Sequence, residues 1–103
     1  MRELQLYIEL NSAKQRAAEL DRAASRLRNL ASNSFPAELR KIDANWNGES
    51  SVRFIAKGKD IIEKINAEAD ALQKCADTIR TIARRVYDSE MKALEISRNR
   101  TYR

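Results

Sequence analysis

Apolar residues recur along the first third of the chain at Leu6, Leu10, Ala13, Ala17, Leu20, Ala24, Leu27 and Ala31, in alternating steps of four and three. That alternation is the seam of a heptad pattern, and it excludes a strand, whose apolar side chains would return at every second residue. Small side chains in the seam bring helices toward the short end of the ~8–10 Å range of interaxial distances. They also bury little area per layer, so this arm calls for partners on more than one side. After Leu27 the steps change: Ala31, Phe35, Leu39, Ile42 and Trp46 follow at four, four, three and four. This is a stutter, and Pro36 lies on it. A proline inside a helix costs ~3 kcal/mol unless the chain bends or restarts. The pattern therefore predicts a first helix over about 2–45 with a kink or break near 33–37, where Asn33 or Ser34 is available as a cap.

The second half carries a longer and better filled seam: Ile55, Gly58, Ile62, Ile65, Ala69, Leu72, Ala76, Ile79, Ala83, Val86, Glu90 and Ala93. It predicts a second helix over about 50–98, with charged residues on the opposite face. Glu90 is an acid at a seam position, and an alternative stripe runs through Ala83, Tyr87, Met91 and Leu94. Between the arms lies Asn45-Trp46-Asn47-Gly48-Glu49-Ser50. Asn-Gly reverses a backbone cheaply because both residues tolerate positive φ. The turn is placed at 46–50, with Asn47 or Ser50 as the cap of the second helix and Glu49 favourable to its dipole. The chain thus reads as all-α, an antiparallel helix-turn-helix hairpin forming a single domain over 1–103.

Composition sharpens this picture. With 103 residues, two glycines, one proline and 34% charged residues, long helices are favoured over sheet. A single hairpin of this size buries a modest core, so association with another chain is the natural completion. The net charge of +5 is diffuse: residues 1–35 hold six Lys/Arg and four Asp/Glu, and residues 49–103 hold twelve and nine. Only the end, with Arg98, Arg100 and Arg103 after the last acid Glu95, is plainly basic. A chain without histidine and with Cys75 alone has no Cys/His zinc cluster and no intramolecular disulfide. No nucleophile–His pair and no glycine-rich phosphate loop is visible, so we expect neither an enzyme nor a cofactor or metal site. No run approaches ~20 apolar residues, and the start lacks the apolar core of a cleavable signal peptide, so neither an integral membrane segment nor general-pathway export is expected.

Trp46 reads either as a core plug at the bundle end or as a recognition anchor, since aromatic residues are enriched at interface hot spots. Glu90 either belongs to a recognition feature or marks where the helix leaves the core. Cys75, beside Ala76, reads as a small apolar flank residue.

Trp46-Asn47-Gly48, at the turn of a hairpin of about a hundred residues, resembles the signature of the WXG family of small secreted proteins, named after the early secreted antigenic target. The resemblance covers nearly the whole chain. It implies two hairpins packed antiparallel into a four-helix bundle, as a homodimer or as a heterodimer with a related helical protein. It also implies secretion in the folded state through the type VII system of Gram-positive or actinobacterial cells, with an association with virulence. The partners implied are that second hairpin, the secretion ATPase and, for some relatives, a larger toxin or effector that the small protein escorts. The family's second hallmark is a C-terminal export signal, which the resemblance places at Val86, Tyr87, Glu90 and Ala93. Here the match is partial: the position four after Tyr87 is Met91 instead of an acid, and Ser97 stands where the helical form of the signal has an apolar residue. Leu10, Ala13, Ala17, Leu20, Ala24 and Leu27 are the residues expected to form the dimer seam. The alternative is a cytoplasmic basic hairpin binding nucleic acid, which the interleaving of acids and bases along both arms disfavours.

Overall fold

The computed structural model describes residues 1–46 and 48–101, and all of these except Met1, Trp46 and Gly48 are helical. There is no strand among the described residues. Helix α1 spans Arg2–Asn29, a π-helical turn covers Leu30–Ser34, α2 spans Phe35–Asn45, and α3 spans Glu49–Thr101. The second helix thus starts one residue before the expected point and continues three residues past its expected end. Arg103 lies outside the described residues. The chain divides into two compact units, Met1–Leu20 with Lys74–Arg103, and Asp21–Gln73.

In the first unit α1 and α3 run antiparallel, with Glu3 paired to Arg98 and Arg2 lying 3.8 Å from Glu90. Leu6, Leu10, Ala17 and Ala76 are buried, and Ala13, Leu20, Ile79 and Ala83 are half-buried. Beyond Ala83 burial passes to Tyr87, Met91 and Leu94, and Val86, Glu90 and Ala93 stay exposed. Of the two stripes legible in α3, the protein uses the one that keeps the Glu90 carboxylate in water. Burying an unpaired charge would cost far more than burying Met91 gains.

In the second unit Ala24, Ala31, Leu39, Gly58 and Ala69 are buried, flanked by half-buried Leu27, Phe35, Ile42, Ile55, Ile62, Ile65 and Leu72. A polar chain fixes the register of the arms. Gln73 donates from Nε2 to Asp21 at 2.7 Å, and Arg28 donates to Gln73 at 3.4 Å and to Asp70 at 3.1 Å. Gly58 supplies the room that Leu39 needs: a Cβ there would fall 2.6 Å from one Leu39 methyl and 2.7 Å from the other.

The π-helical turn interrupts the regular helix at 30–34, and it corrects the expectation that Asn33 or Ser34 caps a new segment there. Asn29, Ser34 and Phe35 all keep right-handed helical dihedrals, and Ser34 makes no side-chain cap. Asn33 donates its amide to the Asn29 side chain at 2.6 Å instead of capping a helix. The Phe35 N–H reaches back five residues to the Leu30 carbonyl. The buried positions explain why. Ala17, Ala24 and Ala31 are seven apart, but Leu39 follows Ala31 by eight. In a regular helix one surplus residue turns the face by about 100°. A turn closed by i→i−5 bonds holds one more residue, and so returns Leu39 to the buried face. Pro36 sits in the first turn of α2, where a missing N–H costs least. Pro36→Ala should therefore change stability by only about 1 kcal/mol, in the stabilising direction, since the register and not the proline demands the wide turn. A thermal melt checks this; a clear fall in Tm would mean that proline holds the turn in place.

Candidate functional site

The tip of the second unit is built by the end of α2 and the start of α3. Trp46 leaves the helix with φ −139° and ψ 108°, while its N–H still donates to the Ile42 carbonyl at 2.9 Å. Gly48 has φ +124°, the one positive φ among the described residues, and a side chain there would be strained. Its carbonyl accepts from the Val52 N–H at 3.2 Å and from the Ser51 hydroxyl at 2.8 Å. Ser51 is buried, so that bond satisfies a hydroxyl with little access to water. Asn47, the middle residue of the motif, lies outside the described residues. Ser50 sits within the first turn of α3, not ahead of it as a cap would.

Trp46 is 44% exposed, and its ring lies 5.9 Å from that of Phe54, tilted by 54°. This is a favourable aromatic geometry, and it leaves both rings half in water. Within the single chain Trp46 is thus not enclosed; it forms an aromatic pair on the surface of the tip.

The residues expected to act as an export signal lie in the first unit and do not form one surface there. Val86 and Ala93 are exposed, and the Glu90 carboxylate faces Arg2. Tyr87 is turned inward onto the packing stripe, and the Arg84 guanidinium lies 5.7 Å from its ring centroid.

The expected dimer seam needs a correction. Leu10, Ala17 and Ala24 are enclosed within the single chain, with both alanines at 0% exposure, so they close the hairpin itself and have no surface left for a second one. Ala13, Leu20 and Leu27 are only half-buried and keep a partial outer surface. The broader apolar surface is on α3. In the second unit Phe54 and Ile61 are exposed, seven residues apart, beside half-buried Ile65 and Leu72; in the first unit Cys75, Ile82 and Ile96 are exposed beside half-buried Ile79, and Glu68 and Ser89 occupy the heptad positions between them. Cys75 thus flanks the apolar seam, on its exposed edge. In the second unit a shallow pocket of about 260 Å³ opens beside the wide turn, lined by Pro36, Leu39, Ile55 and Ile62 with Arg40, Asp43 and Lys59 at its rim.

A feature that the linear sequence hid is a cationic groove in the first unit, formed by Lys14 and Ala18 of α1 and by Arg80, Thr81, Arg84 and Arg85 of α3. The only local hint was the spacing of the three arginines, because Lys14 comes from the other arm. Among the described residues no cluster of His, Cys, Asp or Glu is arranged to hold a metal ion, and no helix is long and apolar enough to cross a membrane. Compared with family models, with curated proteins and with solved structures, the chain matches none.

Proposed function

We propose that this chain is a small secreted helical protein of a type VII secretion system, exported as one of a pair of helical hairpins or as the escort of a larger effector. The observation that carries this reading is the tip: a Trp-x-Gly motif at the helix reversal, with Gly48 in a conformation suited to glycine and Trp46 presented to solvent against Phe54. An aromatic residue half-exposed beside a helix end is well placed to anchor a partner. Pairing into a four-helix bundle, with an identical or a related chain, is supported by the width of the apolar face of α3. Within each unit the other arm covers the inner positions of α3 and leaves apolar side chains exposed, Phe54 and Ile61 in the second unit and Cys75 and Ile82 in the first. Exposed apolar rows of this kind mark interaction surfaces. Recognition by the secretion ATPase would then draw on Trp46 and Gly48 at the tip and on Val86, Glu90 and Ala93 along α3.

The test is export. Expressed in a type VII-competent host, the wild-type chain should reach the culture supernatant only when the secretion ATPase is present. Trp46→Ala should lower the secreted amount while circular dichroism still reports a helical protein. Equal supernatant levels with and without the ATPase would refute the reading. In a pull-down with co-encoded helical proteins, the same chain should recover its pairing partner, or itself.

A further inference from the structure

The first unit presents an open groove of about 690 Å³ whose lining holds four cationic side chains and no carboxylate: Lys14, Arg80, Arg84 and Arg85, with Ala18 and Thr81 as the small residues between them. The groove has no part in the export reading above. We propose that it is a binding site for a soluble anion carrying two or three linked phosphate groups.

Three observations lead there. First, two of the guanidinium groups stand beside acids on α3. Arg80 lies 3.1 Å from Asp77, and Arg84 lies 3.5 Å from Asp88 with its guanidinium also beside the Tyr87 ring. The planar fork of arginine matches phosphate oxygens in pairs. Second, Lys14 and Arg85 have no ion-pair partner among the described residues, so two full charges at the groove await a counter-ion. Thr81 donates its hydroxyl to the Asp77 carbonyl at 2.9 Å and acts as floor. Third, the extent of the positive surface sets the size of the ligand. Asp77 and Asp88 bracket the arginines along α3, eleven residues apart. At ~1.5 Å per residue that is roughly 16 Å of helix. A short phosphate chain fits between the two carboxylates. A nucleic-acid strand or an extended anionic surface following the groove would run over both of them.

Titration calorimetry of the full chain with pyrophosphate and with tripolyphosphate, at moderate salt, tests the proposal. Saturable binding is expected, tighter for the longer anion. The double variant Lys14→Gln/Arg85→Gln removes the two charges that have no ion-pair partner, so the fold should stay intact by circular dichroism. It should weaken binding by at least about tenfold, as the loss of charge-assisted hydrogen bonds requires. Lys57→Gln/Lys92→Gln, which lowers the net charge equally but away from the groove, should bind as the wild type does. Absence of saturable binding, or an equal loss in both double variants, would overturn the site. So would tighter binding of a single-stranded oligonucleotide or of anionic phospholipid vesicles through Lys14 and Arg85.

Discussion

Ala24→Leu should lower the stability of the isolated chain by about 1–3 kcal/mol, the usual cost of forcing extra methylenes into a filled core. Ala24 is at 0% exposure inside the second unit, and Ala17 is equally enclosed in the first, so Ala17→Leu should behave alike. Neither site has an open side into which three added carbons can grow. For a domain of this size each kcal/mol corresponds to a fall in Tm of roughly 4–8 °C. The informative feature is the dependence on concentration. These alanines pack within the hairpin, so the loss should be the same at low and high protein concentration. If the shift vanished on dilution, the alanines would instead face a second chain, and the packing described here would be wrong. Ala13→Leu is the contrast, because a half-buried position on the edge of the seam can turn a larger side chain outward.

Glu90→Ala should leave the fold almost untouched and abolish export. Its carboxylate is 3.8 Å from Arg2, and both side chains are nearly half exposed. Exposed ion pairs of this kind contribute about 0–1 kcal/mol, so the melting curve should barely move. Under the proposed function the same carboxylate is an acceptor for the secretion machinery, and charge-assisted hydrogen bonds are the strong ones at such surfaces. Secreted protein should then fall by an order of magnitude or more while the intracellular pool stays folded. Arg2→Ala separates the two roles, since it breaks the pair and keeps the acid: stability should change as little, and export should persist. Wild-type secretion of Glu90→Ala would mean that α3 carries no signal here, leaving the chain a passenger on another protein's.

Much of this architecture was legible in the spacing of apolar residues. The positions from Leu6 to Ala31 and from Ile55 to Ala83 are buried or half-buried throughout. A three/four alternation reports the inward face wherever the helix is regular. It became ambiguous where two stripes overlapped after Ala83, and there the ionised carboxylate of Glu90 decided. The stutter at Pro36 was visible, but spacing alone does not say whether a helix absorbs a surplus residue by breaking or by widening one turn. Hydrogen bonding settles that question, and residue types record it poorly. The placing of Leu10, Ala17 and Ala24 in a seam between chains needed correction for a related reason. Periodicity identifies the buried face but not which helix covers it, and here the chain's own second arm covers Leu10, Ala17 and Ala24. At the tip, the sequence placed Trp46 and Gly48 between the two arms, whereas the Trp46–Phe54 pairing depends on where α3 begins. The cationic groove was out of reach because its residues sit on both arms among acids that neutralise the running charge.

The wide turn at Leu30–Ser34 has a consequence for how this chain is compared with others. Its first arm holds one residue more than an unbroken α-helix needs to keep Ala31 and Leu39 on the same side. A homologous arm that is one residue shorter in this stretch, and regular there, would carry the same inward face before and after it. An alignment of the two should therefore open a one-residue gap within 30–34. Without that gap, every position from Phe35 to Asn45 would be matched to a neighbour pointing about a quarter-turn away.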